Sequence, residues 1–237
     1  GIGGHASASQ SPVESPRRAQ EEAAVVATPP LAPPGRSPPP LCPNLIMNAE
    51  FFFVVPVERL MEGVGSFEVL GLSGRPLLRT TVKPSGSGGS GRTIEVSMPA
   101  PRSPMLACIG TGRGPQASPG ALEVQGGGGR HYGWLRPSHL SDGFVLTTDG
   151  VAVLSIAGEE DGYKLYAPGA DGDPNGGARH PIAQASRCTD QSISALGGEH
   201  LQVTVVPQVD AVLVLCSVLA VVLFGGGAAL PSQLAAA

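Results

Sequence analysis

Charge and aromatic rings are what this sequence has least of. Only 14% of its 237 residues are charged and 4% aromatic. With one Trp, three Tyr and six Phe, a core has to be built from Val, Leu and Ala, and a hydrophobic content of 41% supplies enough of them. The net charge of −4 leaves no basic footprint for a nucleic acid. The four cysteines, Cys42, Cys108, Cys188 and Cys216, lie tens of residues apart with no CxxC. Such spacing reads as reduced thiols of an intracellular, cytoplasmic protein rather than a disulfide framework. No HExxH helix and no GxSxG elbow occurs, and no His–Cys pair has zinc spacing. No cofactor, metal or catalytic residue is expected, and the chain reads as a non-enzyme.

Gly and Pro are abundant instead. Residues 1–45 hold ten prolines and little apolar periodicity. Proline fixes φ and removes a backbone donor, so neither helix nor central strand runs through such a stretch. Residues 1–45 are read as a disordered tail, with no apolar stretch of an export signal.

From residue 46 short apolar runs alternate with turn residues. Strands are expected at 51–57, 67–70, 77–82, 92–98, 106–109, 122–124, 132–136, 144–147, 151–156, 164–166, 182–185 and 201–206. Ile94, Val96 and Met98 are expected on one face, and the stretch around His131, Tyr132, Trp134 and Arg136 reads as a strand with one aromatic in the core. Thr148-Asp149-Gly150 carries the Asp-Gly signal of a two-residue hairpin. About a dozen short strands with turns between them indicate a sandwich or barrel.

Ala211–Phe224 breaks this pattern with fourteen uncharged, mostly aliphatic residues. Asp210 precedes them as an N-cap, and Gly225-Gly226-Gly227 follows as a stop. The helix expected over 210–224 is apolar on every side, so it is either enclosed by protein or inserted in a membrane. At 1.5 Å per residue it spans about 21 Å, short of a hydrocarbon core of about 30 Å. Counting through the glycines, 211–230 reaches spanning length, but no Lys or Arg follows Arg187 to anchor it. Enclosure is the primary reading, with Leu213, Leu215, Leu219 and Phe224 as filling of the core. A tail-anchored membrane protein is the alternative.

The order of these elements resembles the tubby C-terminal-like superfamily, which includes LURP-one-related proteins and phospholipid scramblases. The segment Ser66-Phe67-Glu68-Val69-Leu70-Gly71-Leu72-Ser73-Gly74-Arg75-Pro76-Leu77-Leu78 is similar to that family's early hairpin. Residues 144–156 resemble its later hairpin, and 182–187 its penultimate strand. The run Leu201-Gln202-Val203-Thr204-Val205-Val206-Pro207-Gln208-Val209-Asp210, leading into the apolar helix, is the strongest match. The resemblance implies a mainly β domain over 46–226. It is a closed barrel of about twelve strands around a C-terminal helix, with 227–237 as a flexible tail. It also implies a monomer that binds a membrane lipid head group or a protein partner without catalysis. Arg75, Arg79, Lys83 and Arg92, grouped around the first hairpins, are the candidate head-group contacts, since phosphate selects charged, multidentate donors.

Two motifs are set aside. Gly86-Ser87-Gly88-Gly89-Ser90-Gly91 fits GxGxxG, but a strand rather than a helix follows it. Asp171, Asp173 and Asn175 open like a calcium loop, yet the twelfth position is Ile182, where a bidentate Glu is needed.

Overall fold

The computed structural model describes residues 38–84, 91–112, 120–138, 143–167, 180–188 and 198–225. Twelve antiparallel strands close into a barrel in which each strand pairs with its sequence neighbours and β1 pairs with β12. In chain order they are β1 Phe51–Pro56, β2 Gly65–Leu70, β3 Pro76–Pro84, β4 Arg92–Ser97, β5 Met105–Thr111 and β6 Leu122–Gly126. They continue with β7 His131–Pro137, β8 Gly143–Thr148, β9 Val151–Glu159, β10 Gly162–Tyr166, β11 Ala183–Arg187 and β12 His200–Val205. A short helix α1, Val57–Met61, follows β1, and α2, Ala211–Phe224, ends the described chain.

The strands form where side chains alternate between core and solvent. Leu78, Thr80 and Val82 of β3 face inward, as do Ile94 and Val96 of β4 and Val203 and Val205 of β12. Between β8 and β9, Asp149 and Gly150 both take positive φ, 51° and 80°, so the expected Asp-Gly turn links Thr148 to Val151. Four alternate strand pairs carry a register shift: β2/β3 after Val69, β4/β5 after Val96, β6/β7 after Val124 and β8/β9 after Leu146. All four lie at the end of the barrel that holds Asp210. Such shifts, where they are bulges, bend a strand and increase its local twist.

Helix α2 fills the barrel. Residues 211 to 223 are all buried, and Leu213, Leu215 and Leu219 are among the largest fully buried side chains. Phe224 is half-buried at the far end and packs against the same core. Ser217, the one hydroxyl on the helix, donates to the carbonyl of Leu213 at 2.8 Å, so it imposes no unpaired polar group. An all-apolar helix is thus matched by apolar side chains on every face, which is how such a helix stays out of water.

Two sequence expectations are corrected, for Leu41 with Cys42 and for Met98. Leu41 and Cys42, assigned with the Pro-rich tail, are buried and belong to the core cluster. Met98 lies beyond β4 and is exposed, because the register shift at Val96/Ser97 and the end of the strand break its alternation. Trp134 is half-buried on the outer face, because Leu135 takes the inward position on β7. Its ring lies over Gly112, where an added Cβ would sit 2.1 Å from it. The free cysteines expected from spacing are present: Cys42 and Cys216 are buried, and Cys108 and Cys188 half-buried.

Candidate functional site

Three places on the barrel gather polar or unpaired groups. The first is the rim where α2 begins. Asp210 caps the helix through Oδ1, which accepts from the amides of Val212 at 2.9 Å and Leu213 at 3.1 Å. Its other oxygen accepts from the amide of Cys42. The segment 38–46 therefore straps across the rim. The Tyr132 hydroxyl donates to the carbonyl of Pro39, Ile46 bridges to Asp210, and the Gln208 amide donates to the carbonyl of Met47. Burial pushes the Asp210 carboxyl above its ordinary value, against the opposing pull of the Cys42, Leu213, Val212 and Leu41 amides. Burial, and then Asp210, push up the Cys42 thiol and the Tyr132 phenol. The hydrogen bonds of Asp210 to Cys42, Val212 and Leu213 tie the strap to the start of α2, so the rim is a structural latch.

The second place is the outer face of β2 to β7, where Arg79 and Lys83 of the candidate lipid contacts lie. The structure does not gather them. Arg75 precedes β3, while Arg92 pairs with Pro84 at its far end, a strand length of roughly 30 Å away. Arg79 is 3.5 Å from Glu68, and Lys83 is 2.6 Å from Glu95, so two of the four cations already hold carboxylates. Further round, His131 contacts Glu123 at 2.9 Å, and the His131 ring and Arg136 guanidinium flank Trp134. Cys108 lies in the same face. Burial, reinforced by Glu95, raises its thiol to about 11, which disfavours the thiolate at neutral pH. No metal-holding group of His, Cys, Asp or Glu occurs among the described residues. The calcium-like segment 171–176 and the glycine loop 86–91 lie wholly or mostly outside them.

The third place is the barrel seam. Every other neighbouring pair of strands shares at least four registered positions, whereas β1 and β2 share one, Val54–Leu70. The cause is local. After Pro56 the chain turns into α1, whose Val57 and Leu60 bury against the core and close the seam from within. On the outer face shared by β2 and β3, a solvent-open depression of about 360 Å³ is lined by Ser66, Phe67, Glu68 and Arg79. Exposed Met61 and Val64 stand where α1 hands over to β2. Sequence reasoning missed this place, because α1 is one turn long and its first residue continues the apolar run of β1.

Comparisons with protein-family models, with curated proteins and with solved structures each return no match to this chain.

Proposed function

We propose that this chain is a non-catalytic, tubby- or LURP-one-like binding module that engages a protein partner or a lipid head group with its outer surface. The observation that carries this reading is the filled interior. Small-molecule sites are concave and mostly apolar, but here the apolar concavity of the barrel is occupied by residues 211 to 223 of the same chain. Binding is left to the outside. A protein partner is the stronger branch, because Arg79 and Lys83 are already paired and Arg75 lies far from Arg92. Charge contacts made by so dispersed a set decay over about 8 Å in physiological salt, so any head-group binding is weak and salt-sensitive. The tail-anchor alternative has α2 outside the barrel. No helix among the described residues is long and apolar enough to cross a membrane.

Photo-crosslinking tests the reading. A benzophenone amino acid replaces Thr81, Thr93 or Gln125 on the outer face, one at a time, in cells. Reproducible protein adducts support the protein branch, and lipid adducts that fade with salt support the head-group branch. Absence of adducts from every position contradicts the reading.

A further inference from the structure

The strap across the Asp210 rim is seated as a bound peptide would be. Pro38 and Leu41 are buried, while Pro39 and Pro40 between them are exposed. That spacing of three is the period of a polyproline II helix, whose φ the three consecutive prolines already fix. Leu41 is 6% exposed and lies on Gly126, where an added Cβ would come within 3.3 Å of its Cδ1. The Tyr132 hydroxyl donates to the carbonyl of Pro39, and the Cys42 amide donates to the Asp210 carboxylate. An aromatic side chain beside a pocket for one apolar residue is how grooves hold preformed proline-rich segments. Both hydrogen bonds use main-chain groups of the strap, so a Pro-x-x-Leu segment of another protein presents the same groups in the same register.

We infer that this rim is a binding site for an extended Pro-x-x-Leu segment of a partner protein, and that the chain's own residues 38–42 occupy it as a resident inhibitor. This rests on the protein branch of the binding-module reading and puts the contact at the rim. The leucine of the partner segment seats on Gly126, the carbonyl two residues before it meets Tyr132, and the amide after it meets Asp210. No charged residue occurs between Pro38 and Ala49, so the site selects shape and main chain rather than charge. The resident strap is tethered to β1, so it competes at an effective concentration of about millimolar. A free segment therefore binds weakly until the strap is loosened.

The test titrates the full chain with a fluorescein-labelled peptide, Ser-Pro-Pro-Pro-Leu-Ala-Pro-Asn, which copies residues 37–44 with Ala in place of Cys42. Every protein used carries Leu31→Ser, so that Pro29-Pro30-Leu31-Ala32-Pro33, which repeats the pattern of residues 39–43 save at one place, supplies no second ligand. Two variants loosen the strap. Leu41→Ser removes its anchor, and Pro39→Gly with Pro40→Gly frees its φ while leaving the buried side chains in place. The inference expects fluorescence anisotropy to show the peptide binding about tenfold more tightly to the first and about threefold more tightly to the second than to the chain with an intact strap. It also expects affinity to fall about tenfold when the peptide leucine is changed to serine. Adding Tyr132→Phe to the paired proline variant should weaken binding about threefold. If Leu41→Ser does not fold, the paired proline variant decides. Affinity unchanged by a loosened strap overturns the resident inhibitor. Indifference to the peptide leucine or to Tyr132→Phe overturns the assignment to this rim, and absence of binding to every variant overturns both. None of these results touches the module reading, whose own failure is seen separately, as absence of photo-adducts.

Discussion

Asp210 and Cys42, 168 residues apart in sequence, are joined by a hydrogen bond from the Cys42 amide to the Asp210 carboxylate. The same carboxylate caps α2 through Val212 and Leu213, so one side chain ties the N-terminal strap to the start of the helix that fills the barrel.

Removing that carboxylate leaves three buried amides short of a partner. Asp210→Ala is expected to lower unfolding free energy by about 2–4 kcal/mol, the sum of a lost cap and an orphaned strap amide. Chemical denaturation measures it. A loss under about 0.5 kcal/mol, within the range of ordinary surface changes, contradicts the latch.

The strap itself is tested by comparing chains that begin at Pro38 and at Ile46. The shorter one loses Leu41 and Cys42 from the core, and Leu41 alone is worth about 1.5–3 kcal/mol of burial. The chain from Ile46 should melt several degrees lower. Equal melting temperatures would place Leu41 and Cys42 outside the folded unit.

The raised carboxyl of Asp210 has a signed consequence. A group that holds its proton more tightly folded than unfolded contributes stability at low pH. That contribution falls as pH rises from its ordinary value near 3.8 through the raised one, and is constant above it. The stability difference between wild type and Asp210→Ser should therefore narrow as pH rises through that window and then level off. A difference that widens with pH means that the amide hydrogen bonds outweigh burial.

Thr80 is fully buried in the barrel wall, and its hydroxyl has no hydrogen-bond partner. Thr80→Val replaces that hydroxyl with a methyl group of similar volume. It should stabilise the barrel by about 1 kcal/mol, since an unpaired buried hydroxyl costs about 1–3 kcal/mol. Destabilisation would mean that Thr80 has a partner, such as a buried water.

Much of the barrel was legible because its cause is local. Alternation in β3, β4 and β12 shows in a few consecutive residues, and so do the Asp149-Gly150 turn and the unbroken apolar run of α2. What escaped depends on register or on distance along the chain. Leu41 and Cys42 stand beside a run of prolines that reads as tail, and only the partner 168 residues away shows that they pack. The candidate cations looked like one cluster because they are close in sequence. Pairing β3 with β2 and β4 instead set Arg79 opposite Glu68 and brought Lys83, diagonally, to Glu95. The β1–β2 pairing is short because Pro56 and Val57 turn the chain out of β1 into α1, at a place where the apolar run continues.

The central claim is that α2 is the core of the barrel rather than an appendage. Its mildest test is Leu215→Asp. This puts a carboxylate where nothing can pair it, at a cost of several kcal/mol against a domain stability of about 5–15. The most direct measurement is thermal unfolding of the chain ended at Val209, which removes α2 and leaves all twelve strands. The account predicts an insoluble or molten fragment with no cooperative transition, because the inward side chains of the barrel would face an empty centre. A soluble fragment that melts cooperatively would contradict it, and would make α2 free to serve as a membrane anchor.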